Sequence, residues 1–118
     1  MTNIEELTEF GLEITDDLKQ GKVILDVYTE WCGPCKFVSP ILEKLKNEGL
    51  IKLIKEDLDR NRSLGERFGI TAIPSLLFFK DGKLINHPIE VQGQTLVRNG
   101  MMVGAAGEPI LKAIIEQM

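Results

Sequence analysis

An α/β sandwich with a mixed central sheet is the fold class this sequence predicts, and three observations carry it. Through residue 69, short β-branched apolar runs alternate with stretches of helical periodicity, in the order helix, strand, helix, strand, helix. From residue 75 on, strand-like runs lie around Asp81-Gly82 and Asn99-Gly100, pairs that favour tight antiparallel turns, and a helical stretch closes the chain. At 118 residues, 43% hydrophobic and 27% charged, the chain reads as one globular domain over residues 1–118, able to bury a core without covalent staples.

Each element has a local reason. Ile4, Leu7, Phe10, Ile14 and Leu18 recur every three or four residues, the stripe of an amphipathic helix. Asn3 or Thr2 caps it, Glu5 or Glu6 completes a capping box, and Gly21 ends it. Residues 23–28, VILDVY, form an apolar run suited to a central strand buried on both faces, with Asp26 inside it. A second helix starts at Pro34, whose missing N–H is not needed in a first turn, and runs to Gly49 with a bend at Pro40. Its apolar side is Phe37, Val38, Ile41, Leu42 and Leu45. Residues 50–55 make the next buried strand, residues 63–68 a short helix closed by Gly69, and residues 75–79 a further strand. Residues 95–98 and 101–103 flank the Asn99-Gly100 turn, and residues 109–117 form a helix burying Ile110, Leu111, Ile114 and Ile115. No repeat, linker or low-complexity segment is visible.

Charge and cysteine usage narrow the function. The net charge is -4 and the pI about 5.0, so the sequence carries no electrostatic footprint for nucleic acid or anionic lipid. The opening MTNIEELTEF is acidic where a secretory leader is basic and then apolar, and no apolar run approaches membrane-spanning length. A cytoplasmic location follows as the expectation. Both cysteines of the chain, Cys32 and Cys35, fall in the run WCGPCK. In a reducing compartment such a pair serves as a metal site or a redox couple. A closed zinc site needs four ligands, and Cys32, Cys35 and the single His87 leave one missing. Carboxylates or a second chain would have to complete such a site, so the redox couple is the preferred reading, and no metal or cofactor is expected.

Cys32 sits at a helix N-terminus, where free N–H groups and the positive end of the macrodipole favour thiolate, the species that attacks a disulfide. Cys35 lies one turn along on the same face, placed to displace whatever Cys32 captures. Gly33 and Pro34 shape and stiffen the turn between them. Asp26 is a carboxylate in an apolar strand, where burial without a full partner should raise its pKa, and it is the candidate proton acceptor for Cys35.

The WCGPCK run, with Asp26 upstream and Ile73-Pro74-Ser75 downstream, resembles the thioredoxin family over nearly the whole chain. The resemblance implies the thioredoxin fold: a mixed sheet of four strands, or five, sandwiched by helices. It implies Cys32 as attacking thiol, Cys35 as the buried resolving thiol, and Pro74 as a cis-proline facing them. A cis turn exposes the backbone of Ile73 for pairing with an extended substrate segment. Lys55 corresponds to the family's lysine near the buried acid. Trp31 is expected to cover the dithiol and offer an aromatic face to substrate, and Gly33, Pro34, Ile73, Pro74, Val103, Gly104 and Ala105 to form an apolar apron around the sulfurs. Glu30 and Lys36 are either rim charges or ordinary solvated surface, the latter being the commoner case.

The implied function is a general protein-disulfide reductase acting as a monomer on disulfide-containing proteins and recharged by thioredoxin reductase or a similar donor. Isomerase and oxidase relatives place histidine between the cysteines, where this chain has Pro34, and a binding module with idle thiols is the reading from another class. The chain departs from the family pattern in residues 83–102, KLINHPIEVQGQTLVRNGMM, where the family turns one short hairpin strand. Gln92-Gly93 and Asn99-Gly100 predict that this stretch folds as an extra hairpin or extended arm, with His87 and Pro88 in a kink. A plain lengthened surface loop and an arm overhanging the dithiol are its two readings. No first strand precedes the opening helix, which leaves the strand count open between four and five.

Overall fold

A computed structural model describes residues 2–118. The central sheet contains β1 (Lys22–Tyr28), β2 (Lys52–Asp57), β3 (Ser75–Lys80), β4 (Lys83–Leu84) and β7 (Met101–Val103). Its order is β2-β1-β3-β4, with β7 also on β3. β1 and β2 run parallel and the other pairings are antiparallel, so the sheet is mixed. Five strands thus occupy four lateral positions. β1 and β3 are buried on both faces, which is why VILDVY and SLLFF read as continuous apolar runs rather than alternating ones.

Two apolar layers cover the sheet. On one face Ile24, Leu76 and Phe78 pack with Val38, Leu42 and Leu45 of α1 (Gly33–Asn47) and Leu111 and Ile114 of α3 (Glu108–Glu116). On the other, Val23, Leu25, Leu77 and Phe79 meet Ile4, Leu7 and Leu64, the last on α2 (Arg62–Phe68). Among the described residues, no helix is long and apolar enough to cross a membrane.

The first segment differs from the expected single helix. It forms two 3-10 helices, Ile4–Phe10 and Asp16–Lys19, because Gly11 takes φ 84 and stops the first one. Asn3 is the cap, its side chain accepting the Glu5 N–H, but no capping box forms: Glu5 pairs with Lys19 and Glu6 with Arg67. Leu12, off the expected stripe, is buried, while Phe10, Ile14 and Leu18 on it are half-buried. Asn3 also bridges Lys83, a one-residue remnant where an edge strand would lie. β2 begins two residues later than expected, and Phe37, placed on the buried stripe of α1, is 57% exposed.

Residues 85–100 leave and rejoin the sheet edge at one point. β4 pairs with Phe79 and Lys80, while β7 pairs with residues 75–77. Phe78, between them, donates its N–H to the Gly100 carbonyl (2.9 Å) and accepts from the Ile85 N–H (3.0 Å), so the ladder passes from β4 to β7 without a gap. The excursion is a hairpin of β5 (Ile89–Val91) and β6 (Gln94–Val97). Its turn is Gln92-Gly93, and Asn99-Gly100 turns β6 into β7; all four residues have positive φ, as two-residue hairpins require. Gly100 is obligatory for space as well, since a Cβ there would lie 2.9 Å from the Ile85 carbonyl oxygen. Ile89 and Val97 are fully buried in the α1/α3 layer, and His87 Nε2 and the Glu90 carbonyl bond to Gln117 at the end of α3. The hairpin is therefore part of the core rather than a loose surface loop.

Candidate redox site

The site is built at the end of β1. Tyr28 leads through residues 29–31 to Cys32, the N-cap residue of α1, which has extended φ/ψ of -87° and 114°. An N-cap side chain accepts one of the N–H groups a helix start leaves free. Here the Cys32 Sγ takes that part, accepting the Cys35 N–H at 3.2 Å. Pro34 stands in the first turn without disturbing this bond. Cys32 and Cys35 are joined as a disulfide with Cα atoms 5.3 Å apart. Both are nearly inaccessible, at 4% and 2%, so exposure hardly separates them; the N-cap position does.

Asp26 is fully buried in β1 on the face that α1 covers. Ser39, one turn beyond Cys35, donates its hydroxyl to Asp26 Oδ2 at 2.7 Å, and Oδ1 has no protein partner among the described residues. Burial pushes the Asp26 carboxyl above the usual carboxylate range, and the Ser39 hydroxyl and the Lys55 charge only partly offset this, while Glu43 adds to it. Lys55 is the register partner of Asp26 on β2 but reaches outward over the Tyr28 ring, 5.3 Å from its centroid. A cleft of about 270 Å³ is lined by Tyr28, Thr29, Cys35, Ser39 and Lys55 among others, so Cys35 and Ser39 share one opening.

The Ile73-Pro74 bond is cis. Antiparallel register sets Ser75 opposite Val27, which brings Pro74 level with the end of β1 and hence to the dithiol end of the sheet. The Gly104 N–H donates to the Pro74 carbonyl at 2.8 Å, tying the β7 exit to the same corner. Ile73 makes no backbone hydrogen bond among the described residues. Trp31 is 72% exposed and held by a hydrogen bond from Nε1 to Asp59 Oδ2 (2.8 Å). Gly33, Pro34 and Ala105 are exposed, Ile73 and Gly104 half-buried, and Pro74 buried. Ser39 and the exposure of Phe37 escape the sequence reading. Ser39 has a signal in its spacing, four residues after Cys35 on one helix face; nothing in the periodicity marks Phe37 as exposed. No cluster of three or more His, Cys, Asp or Glu side chains capable of holding a metal occurs among the described residues.

An α/β sandwich carrying a Cys-Gly-Pro-Cys disulfide at a helix start, beside a cis-proline, defines a dithiol–disulfide oxidoreductase. The Thioredoxin family model matches residues 2–101, and the chain belongs to the thioredoxin family. It is 40% identical over 75 residues to a thioredoxin of Chlamydia muridarum, an alignment covering 63% of this chain and 74% of that one. Among solved structures, a point-mutant thioredoxin from Halobacterium salinarum NRC-1 superposes with a TM-score of 0.66 at 30% identity, covering 83% of this chain and 74% of that one. Oxidized mitochondrial thioredoxin 3 from Saccharomyces cerevisiae gives 0.65 at 28%, covering 95% and 90%. Membership carries with it disulfide exchange through the cysteine pair, disulfide substrates and an electron donor.

Proposed function

We propose that the chain is a general reductase of protein disulfides, working as a single monomeric domain in the cytoplasm and recharged by a thioredoxin reductase or similar donor. The observation that carries the assignment of roles is the Cys32 Sγ in the N-cap position, accepting the Cys35 N–H. In the reduced protein those helix-start donors favour the Cys32 thiolate. The thiolate attacks one sulfur of a substrate disulfide, and the departing sulfur takes up a proton. Cys35 then loses its proton to the Asp26 carboxylate and attacks Cys32, releasing the second substrate thiol and closing the Cys32–Cys35 bond. Two electrons pass to the substrate. Recharging reverses them, two electrons and two protons entering from the donor. Lys55 moderates the charge on Asp26.

Substrate recognition is assigned to Trp31, Gly33, Pro34, Ile73, Pro74, Gly104 and Ala105. The Ile73 backbone, without a hydrogen bond among the described residues, supports pairing with an extended segment, which makes recognition broad in sequence. The net charge of -4 argues against nucleic acid as a partner.

Trapping tests the assignment. Cys35→Ser should accumulate mixed disulfides through Cys32 with oxidised proteins, and Cys32→Ser should accumulate none. Stable adducts on Cys32→Ser, or activity surviving Cys32→Ser with Cys35→Ser, would overturn it.

A further inference from the structure

The hairpin that interrupts the sheet edge also builds a groove. It runs between α2 and β6 with a volume of about 470 Å³, its apolar lining including Phe68, Leu96, Met101 and Val103. Because Ile89 and Val97 anchor the hairpin in the core, the β6 side of this groove is a fixed surface. Val103 is 55% exposed and precedes Gly104, whose N–H holds the Pro74 carbonyl, so one end of the groove opens onto the redox face.

Backbone direction adds a second feature. Gly100 and Gly104 bond toward β3, so the alternate residues, Met101 and Val103, turn their N–H and C=O groups away from it. Met101 exchanges both of its bonds with Arg98. Val103 has no such partner among the described residues, leaving one open donor and acceptor at the groove mouth. Arg98 lies about 7 Å along the strand from there, at the level of Met101. Its side chain is exposed, lines the groove and forms no ion pair among the described residues, in a chain of net charge -4.

We propose that this groove receives the extended chain on one side of a protein substrate's reacting cysteine, an apolar side chain lying over Val103 and Leu96 and a carboxylate meeting Arg98. The inference rests on the reductase reading and adds selectivity to it: broad recognition at the dithiol, and a preference for apolar-acidic flanks set by the insertion. The docked segment adds one backbone pair at Val103 and needs no movement of the hairpin.

The probes are symmetric disulfide dimers of synthetic peptides with leucine two residues and either glutamate or lysine four residues from the cysteine, made with the flank on each side in turn. Bis(2-hydroxyethyl) disulfide is the reference. With reduced protein in single turnover, the glutamate peptide should be reduced about two- to fivefold faster than the lysine peptide in one of the two directions. The preference should fade between low salt and about 0.5 M salt, as an exposed ion pair does. Arg98→Glu should reverse it, and Thr95→Trp, which fills the groove, should lower the ratio of peptide to reference rates. Equal rates for glutamate and lysine in both directions, or a preference that survives Arg98→Glu, would overturn the groove alone. Failure to reduce the reference as well would remove the reductase reading and the groove's role with it.

Discussion

Replacing Ser39 by alanine tests the chemistry of the buried acid directly. The Ser39 hydroxyl is the one protein group among the described residues that donates to the Asp26 carboxylate, at 2.7 Å, and the other oxygen is already without a partner. A hydrogen bond to a charged acceptor contributes about 1.5–3 kcal/mol, against about 0.5–1.5 kcal/mol between neutral groups. The loss on Ser39→Ala is therefore pH-dependent. Asp26 has a folded pKa raised by burial, so its destabilising desolvation is absent below the unfolded value of about 4 and complete once pH exceeds the folded value. Removing the hydroxyl raises the folded pKa further, because Ser39 favours the charged form. Stability lost on Ser39→Ala should then be about 1 kcal/mol at pH 4 and about 2–3 kcal/mol at pH 8. Urea unfolding of the oxidised protein, followed by far-ultraviolet circular dichroism at both pH values, measures the difference. In the reduced protein the same substitution should move the low-pH limb of disulfide reduction upward, since the proposed mechanism needs Asp26 as a carboxylate to accept the Cys35 proton. Ser39→Thr keeps the hydroxyl and should restore the limb. A stability loss equal at pH 4 and pH 8, with an unmoved rate profile, would refute the link between Ser39 and the acid.

Three other substitutions follow from the same geometry. Asp26→Ala should raise stability at pH 8, where the desolvation cost is complete, and not at pH 4, while slowing reduction; a urea midpoint that falls at pH 8 would contradict the burial argument. Ile89→Ala, at a fully buried position of the hairpin, should cost about 2–4 kcal/mol and lower the single thermal midpoint by about 10 °C, whereas a loss under about 1 kcal/mol would mean the hairpin is a detachable loop. Gly100→Ala combines φ 78 with a Cβ 2.4 Å from Leu84 Cγ and 2.9 Å from a backbone oxygen, so it should cost more than about 2 kcal/mol in urea unfolding, and a neutral result would mean β4 and β7 are not held together there.

What can be read from the sequence divides along local and non-local lines. VILDVY, SLLFF and the Gly-terminated α1 and α2 are legible because burial on both faces, or a single buried stripe with a capping residue, writes itself into consecutive residues. The X-Gly turns at Asp81-Gly82, Gln92-Gly93 and Asn99-Gly100 are legible for the same reason, each needing positive φ at both positions. The opening segment reads as one helix because the apolar spacing continues across Gly11, and spacing cannot distinguish a helix from two short turns packed on one core. Phe37 falls on the wrong side of α1 because α3 and the sheet, not the helix's own pattern, decide which side is covered. Asp26 is legible as a polar residue in an apolar run; its partner Ser39 is not, because the pairing joins residues 13 apart across two elements. The role of residues 83–102 stays open in the sequence for the same cause: whether Ile89 and Val97 face core or solvent depends on where α3 lies.

The place of the insertion explains how the family's chemistry coexists with it. The redox corner needs three fixed things: the β1–α1 junction that sets Cys32, the start of β3 that carries Pro74, and the start of residue 104's loop that holds the Pro74 carbonyl. An insertion at the β1–α1 junction or immediately before β3 would disturb the first two. Residues 85–100 instead depart beside Phe78 and return beside it, so β7 keeps its register with residues 75–77 and Gly104 still reaches Pro74. An edge position tolerates this because only isolated bridges, Asn3 to Lys83 and Arg98 to Met101, lie beyond it, and a single residue, Phe78, can bridge the break. The exposed residues of the hairpin can therefore vary and reshape the ground next to the dithiol, while Ile89, Val97 and Gly100 hold it in place and the sulfurs, the buried acid and the cis-proline keep their mutual positions.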